Sequence, residues 1–470
     1  MAELRARAAT LDRARRTVAE RVAMEFPAFV QLTNPSPVTL DRARGAIRPG
    51  EALIATYVAS DRTFVWAIPF RGPVAFAAVP LGAKALATDV SRLRGALDPG
   101  VRTLGDIPAV DVALAHRLYA TLLAPVAEGW RGAESVIVVP LGPLAQIPFT
   151  LLVTRPTEMP PERDELFASY RAVPWLVRRH AVTVLPSVNA LVTLRNLPPS
   201  ARARRPFVGF GDPYFSPEQA RAPRERTAVA AAALSQRGVP ITLRHLRVEN
   251  LASARLAILP RLPDTADEIL GIAGALGADP GRDVFLGERA NEAAVKALDL
   301  TAYRVIAFAT HGLVPGALDG LTQPALALSA PEVAKVGGDG LLTTEEILAL
   351  RLNADWVVLS ACNTASGQGA GAEAISGLGR AFFYAGARAL LVSAWPVETS
   401  SARVLTTELF RRQRADPRLT RAGALQQTMI AMIDEGRFTD PATGRVVFSY
   451  AHPIFWAPFM LVGESGALGR

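Results

Sequence analysis

Between residues 284 and 393 the sequence alternates short, uninterrupted apolar runs with amphipathic stretches, and this alternation restricts the fold more than any other feature. The runs predict strands over 284–286, 303–309, 356–360 and 389–393. Between them the pattern predicts a helix from Asn291, a second from about Thr344 and a third over 372–385. Apolar runs too short for helices, each followed by a helical segment, mark parallel strands joined by crossovers. The expected fold class is therefore α/β, a mostly parallel sheet flanked by helices on both faces. In such sheets reactive residues sit just past the carboxyl ends of strands.

Upstream, an apolar run at 135–139, closed by Pro140-Leu141-Gly142-Pro143, predicts another strand. Runs at 52–58, 63–69 and 74–79, separated by Ser60-Asp61-Arg62 and Arg71-Gly72-Pro73, read as a small antiparallel meander. Helical patterns follow at 84–97 and 108–126. Leu4, Ala8, Leu11, Val18 and Val22 recur at helical spacing and predict an amphipathic N-terminal helix over 3–24. Three regions result: the N-terminal helix within 1–34, a small β-rich α+β lobe over 35–130, and the main domain over 131–470. Pro, Arg, Glu and Ser dominate 154–172 and 197–226, which are expected to be surface loops.

The chain has one cysteine, Cys362, among its 470 residues. That excludes an intrachain disulfide framework and a cysteine-cluster metal site, and it suits a reducing compartment. The charged start, MAELRARAATLDRARR, is no secretory signal, and Pro140, Pro143 and Pro148 break the most apolar long stretch, so a cytoplasmic protein without a membrane span is expected. Net charge is +8, carried by 48 arginines against three lysines scattered from end to end. No basic block with interleaved aromatics stands out, which argues against a nucleic-acid partner.

Two residues occupy the reactive position. The run YRVIAFAT leads into His311-Gly312, and DWVVLSA leads into Cys362-Asn363-Thr364, 51 positions after the histidine. Neighbouring parallel strands lie about 5 Å apart, so adjacent strands would bring both side chains out on one sheet edge. A thiol of pKa about 8.5 is mostly protonated at neutral pH, and an adjacent imidazole can take its proton and later give it to a leaving amine. The N–H groups of Gly312 and Cys362 are candidates for the oxyanion hole of an acyl transfer. Singly, a strand-end cysteine is usually a buried hydrophobe and a lone histidine a structural residue; their joint placement favours chemistry. His452, in Tyr450-Ala451-His452-Pro453, reads as structural. Thr343 followed by Glu346 reads as a capping box, not as catalytic acid.

The segments VIAFATHG, DGLLTTEEILAL, VVLSACNTASG, ISGLGRAFFYAGARALLVSAWPV and HPIFWAPFMLVG, with VIVVPLGPLAQIPFTLL and VFLGERANEAAVKALDL upstream, resemble the CHAT domain. These caspase-like proteins, related to separase, are commonly joined to tetratricopeptide repeats in bacteria. The resemblance spans about 131–463, with a weaker likeness from about residue 35. It implies a caspase-like fold and a cysteine endopeptidase with His311 as the catalytic histidine and Cys362 as the nucleophile. A histidine about 50 residues upstream of the cysteine is also the caspase arrangement. The motif Ser360-Ala361-Cys362-Asn363-Thr364 departs from the caspase Gln-Ala-Cys-x-Gly, so aspartate specificity does not transfer. About 35 residues of this sequence precede the resemblance, so the usual repeat array is expected to be absent or reduced to one helix.

By the same resemblance, Trp395 followed by Glu398 occupies the place where separases receive a basic side chain; Glu398 reads equally as the carboxylate at the start of the next helix. Glu373, after the glycine-rich loop 366–371, is a second candidate for substrate binding. The spacing G-x-G-x-G in that loop fits neither a dinucleotide fingerprint nor a P-loop. The expected substrate is a protein or peptide, with an activating protein partner, in bacterial defence or programmed-death signalling. Cys–His chemistry needs no metal or organic cofactor. The alternatives are a catalytically latent caspase-like interaction module and a Cys–His acyltransferase or amidase.

Overall fold

The computed structural model describes residues 38–467 except 102, 163–164, 199–202, 223–240, 242–243, 245–255, 361–373 and 441–442, together with Arg7, Ala14, Thr17 and Arg21. The helix expected over 3–24 lies outside the described residues but for those four, which are helical. The strands are β1 (Glu51–Val58), β2 (Thr63–Pro69), β3 (Ala75–Val79), β4 (Ser135–Val139), β5 (Ala181–Val184), β6 (Arg205–Gly211), β7 (Val284–Leu286), β8 (Tyr303–Ala309), β9 (Gly312–Leu313), β10 (Ala325–Ala327), β11 (Leu341–Thr343), β12 (Trp356–Leu359), β13 (Ala389–Ser393), β14 (Arg437–Thr439), β15 (Val446–Ser449) and β16 (Phe459–Gly463). The helices used below are α1 (Leu40–Gly45), α2 (Ala83–Gly95), α3 (Val112–Leu118), α4 (Val188–Arg195), α5 (Asp264–Leu276), α6 (Thr344–Ala349), α7 (Ala374–Ala385), α8 (Thr399–Ala415) and α9 (Arg421–Asp434).

Eleven strands form one sheet in the order β3-β2-β1-β4-β5-β16-β13-β12-β8-β6-β7. The meander β1–β3 is antiparallel, as its turn residues predict. Because β1 also pairs with β4 in parallel, the meander forms one edge of this central sheet. From β4 to β16 and from β13 to β7 all neighbours are parallel. These two blocks meet at the antiparallel pair β13–β16, so they run in opposite directions.

Helices cover both faces because the strands alternate two apolar sets. Phe308 of β8 packs on Phe382 of α7, ring centroids 5.8 Å apart. On the opposite face Trp356, level with Val305, meets Phe410 of α8 edge-on at 6.0 Å. In the amino-terminal block, Ile54 and Val138 join the main core, whereas Leu53, Ile137 and Val139 join a smaller cluster with Ala43 of α1 and Leu191 of α4.

One loop assignment is corrected. The stretch 197–226, expected to be a surface loop, contains β6, a strand between β7 and β8 with Phe207, Val208 and Phe210 fully buried. Its composition is misleading for a packing reason. A Cβ on Gly209 or Gly211 would lie 2.8 or 2.9 Å from the Ile269 side chain of α5, so the glycines admit a close helix–strand contact rather than a turn. Pro206 is tolerated near the start of the strand.

The capping box forms: Thr343 Oγ1 accepts from the Glu346 N–H at 3.4 Å, and the Thr343 N–H donates to Glu346 Oε2 at 2.8 Å. Thr343→Ala should therefore cost about 1 kcal/mol of stability. Urea unfolding reads this out, and an unshifted midpoint would deny the cap any weight.

Candidate active site

The parallel register aligns the two strands that the sequence singled out. Leu359 of β12 lies level with Phe308 of β8, and the Ser360 N–H donates to the Phe308 carbonyl at 3.0 Å. His311 follows β8 by two residues. Cys362 and Glu373, with the glycine-rich loop between them, lie outside the described residues.

His311 is fully buried and its tautomer is set. Nε2 lies 2.7 Å from the Pro260 carbonyl oxygen, which can only accept, so Nε2 carries the proton. Pro260 is held in turn by its neighbour: the Arg261 guanidinium forks onto both carboxylate oxygens of Asp212, at 2.8 and 3.0 Å, just past β6. Nδ1 is left with its lone pair and has no hydrogen-bond partner among the described residues. The Phe215 ring packs against the imidazole at 5.5 Å between centroids. Burial pushes the imidazole pKa down to about 4, the Pro260 hydrogen bond works against that shift, and the charge of Arg244 adds to it. The resting histidine is therefore neutral at pH 7, with Nδ1 as its basic atom.

Gly312 opens β9, half-buried, in a small sheet with β10 and β11. The Ala327 N–H donates to the His311 carbonyl at 2.9 Å, so by the alternation of an antiparallel ladder the Gly312 N–H points away from β10.

A second cluster lies under the same sheet edge and was not visible in the sequence. Arg244 and Glu268 form an ion pair at 2.8 Å with side chains 1% and 0% exposed. Ser360 Oγ accepts from Arg244 Nη1 at 2.8 Å and donates to Glu268 Oε2 at 3.1 Å. Glu268 sits on α5, and the backbone N–H of Arg244 donates to the Val397 carbonyl past β13 at 3.1 Å.

Trp395, just past β13, is fully buried, and its indole N–H finds no acceptor among the described residues. Glu398 caps α8: Oε1 accepts from the Ser400 N–H at 2.9 Å and Oε2 from the Ser401 N–H at 2.8 Å, with the Ser400 hydroxyl on the same carboxylate. Of the two sequence readings of Glu398, these hydrogen bonds are those of the helix-start carboxylate. His452 is buried and uses both ring nitrogens, Nδ1 accepting from the Ile454 N–H at 3.1 Å and Nε2 donating to Pro108, as its structural reading requires. Among the described residues no group of histidine and acidic side chains could hold a metal ion, and no helix is long and apolar enough to cross a membrane.

The fold is similar to that in a crystal structure of the Saccharomyces cerevisiae separase–securin complex, with 9% identity, 90% of this chain and 30% of that chain covered, and a TM-score of 0.46. A crystal structure of the Arg-specific cysteine proteinase gingipain R aligns with 10% identity over 82% of this chain and 76% of that one, with a TM-score of 0.35. In sequence, mouse tetratricopeptide repeat protein 28 is 31% identical over 124 residues, which is 26% of this chain and 4% of that protein. The chain thus spans well under two thirds of the mouse and yeast proteins. The CHAT domain description matches residues 112–464, from the start of α3 to one residue past β16, and on that span the chain belongs to the CHAT domain family.

Proposed function

We propose that the chain is a cysteine endopeptidase that uses Cys362 and His311. The observation that supports it best is the buried Nδ1 of His311 at the carboxyl end of β8, without a hydrogen-bond partner among the described residues, beside the strand whose third following residue is the chain's one cysteine. On this reading the Cys362 thiol passes its proton to His311 Nδ1, and the sulfur forms a bond to the scissile carbonyl carbon. The N–H groups of Gly312 and Cys362 hold the oxyanion. Collapse breaks the C–N bond, the amine leaves with the proton from His311, and water hydrolyses the thioester. The substrate is a protein segment laid along the sheet edge, and a protein partner switches the activity on, in keeping with the defence or death signalling that the family resemblance implies.

The test is a diverse peptide library incubated with wild type and with Cys362→Ala, with cut sites mapped by mass spectrometry. Cleavage should vanish in the variant while its thermal unfolding stays unchanged. Equal cutting by both proteins would end the peptidase assignment.

A latent interaction module is the second reading, and the buried Arg244 cluster beside the site favours it for the resting state. Labelling of the sole thiol by iodoacetamide at about pH 6 separates the two. Labelling faster than free cysteine marks an activated nucleophile, whereas the rate of free cysteine marks a latent one.

A further inference from the structure

Arg244 is costly where it lies. A buried guanidinium loses its hydration, and a site needing only packing is served as well or better by an apolar side chain. What surrounds Arg244 is built for a guanidinium: a carboxylate and a hydroxyl converge on it from α5 and the end of β12, at 2.8 Å each. Its backbone is engaged too, through the N–H donated to Val397 beyond β13. Main chain hydrogen-bonded to the protein with the side chain in a pocket is how an extended peptide is bound. Ser360 directly follows β12 and Val397 lies in the segment between β13 and α8, on the carboxyl side of the strands, where open α/β sheets take their ligands; Glu268 reaches the same place from α5.

The fit is incomplete. Glu268 is fully buried, yet its Oε1 accepts no hydrogen bond among the described residues. Arg244 thus uses one carboxylate oxygen, where a guanidinium approaching as a fork takes both.

We propose that Glu268 and Ser360 form the floor of a pocket for the arginine side chain of a protein substrate, and that Arg244 fills it from within the chain as a displaceable stand-in. The word substrate rests on the peptidase reading; the occupancy of the pocket does not. While Arg244 is seated, the pocket beside His311 is closed to substrate, and its positive charge disfavours protonation of that histidine. Entry of a substrate arginine requires Arg244 to leave. Activation by a partner then amounts to drawing Arg244 out.

The experiment measures binding without turnover, in the Cys362→Ala protein. Arg244→Gln is titrated with N-acetyl-arginine amide and, as the uncharged isostere, N-acetyl-citrulline amide, and the unfolding temperature is followed. The arginine compound should raise it by several degrees at millimolar concentration, the citrulline compound should not, and Arg244→Gln/Glu268→Gln should respond to neither. Equal responses to the two compounds in Arg244→Gln would overturn the proposal. Should Arg244→Gln fail to fold, the protein with Arg244 intact decides: saturating N-acetyl-arginine amide should speed amide exchange at Arg244 roughly tenfold by releasing the Val397 hydrogen bond, and unchanged exchange would sink the idea. Loss of peptidase activity in the library experiment leaves this binding result standing, so the two readings fail separately.

Discussion

His311→Ala should lower kcat for peptide cleavage by about 10²- to 10⁴-fold, with a smaller change in KM. The expectation follows from the hydrogen bonds around the ring. With Nε2 committed to the Pro260 carbonyl, the only proton-accepting atom is Nδ1, and nothing else described occupies it. On the proposed peptidase reading, alanine removes the group that would accept the thiol proton and return a proton to the leaving amine. A structural histidine would give a different signature, because its loss would lower stability and leave kcat per folded molecule unchanged. Steady-state cleavage of a fluorogenic peptide, normalised to the folded fraction by circular dichroism, distinguishes the two. Wild-type kcat in the variant would remove His311 from the mechanism.

Acidification from pH 7 to about 4 should cost the fold several kcal/mol. Burial depresses the His311 imidazole to about 4 and the His452 imidazole to about 3, and burial lowers that of His180 as well. The sign is fixed by which state binds more protons. An unfolded histidine titrates near 6.5, so between about pH 6.5 and 4 the unfolded chain takes up protons that the native chain refuses. Stability is therefore full above pH 6.5 and is lost as pH falls toward the native values. The upper part of that window lies above the ordinary carboxylate range, so histidines dominate it. Urea denaturation at pH 7.5, 6.5 and 5.5 should show a falling free energy, and His452→Asn should flatten the slope by about one proton. A pH-independent midpoint would mean that these imidazoles are not buried as neutral groups.

Much of this architecture was legible because it rests on uninterrupted apolar runs. β8, β12 and β13 read directly from YRVIAFA, WVVL and ALLVS, and the position of His311 followed from the end of the first. β6 was hidden because glycine and proline signal turns, whereas in this chain two glycines serve a helix that packs flush on the strand. Arg244 was hidden for a statistical reason with a physical root. One arginine among 48 carries no mark of burial, and Glu268 looks like any acid of an amphipathic helix until the tertiary fold closes both off from water. Several other arginines taken as background are likewise buried in ion pairs, among them Arg195 with Glu51 and Glu464, and Arg204 and Arg421 with Asp355.

The place of the last strand in the sheet has a consequence in time. β16 is the last described strand in chain order, yet it sits near the middle of the sheet, hydrogen-bonded to β5 on one side and β13 on the other. A ribosome-bound chain that has emerged only as far as residue 458 therefore holds two half-sheets with raw edges at β5 and β13, unable to dock through main-chain hydrogen bonds. β13 belongs to the half that carries His311 and leads to Cys362. Final seating of that half must wait for Phe459–Gly463, so a nascent chain stays incomplete until nearly the whole matched region has been made.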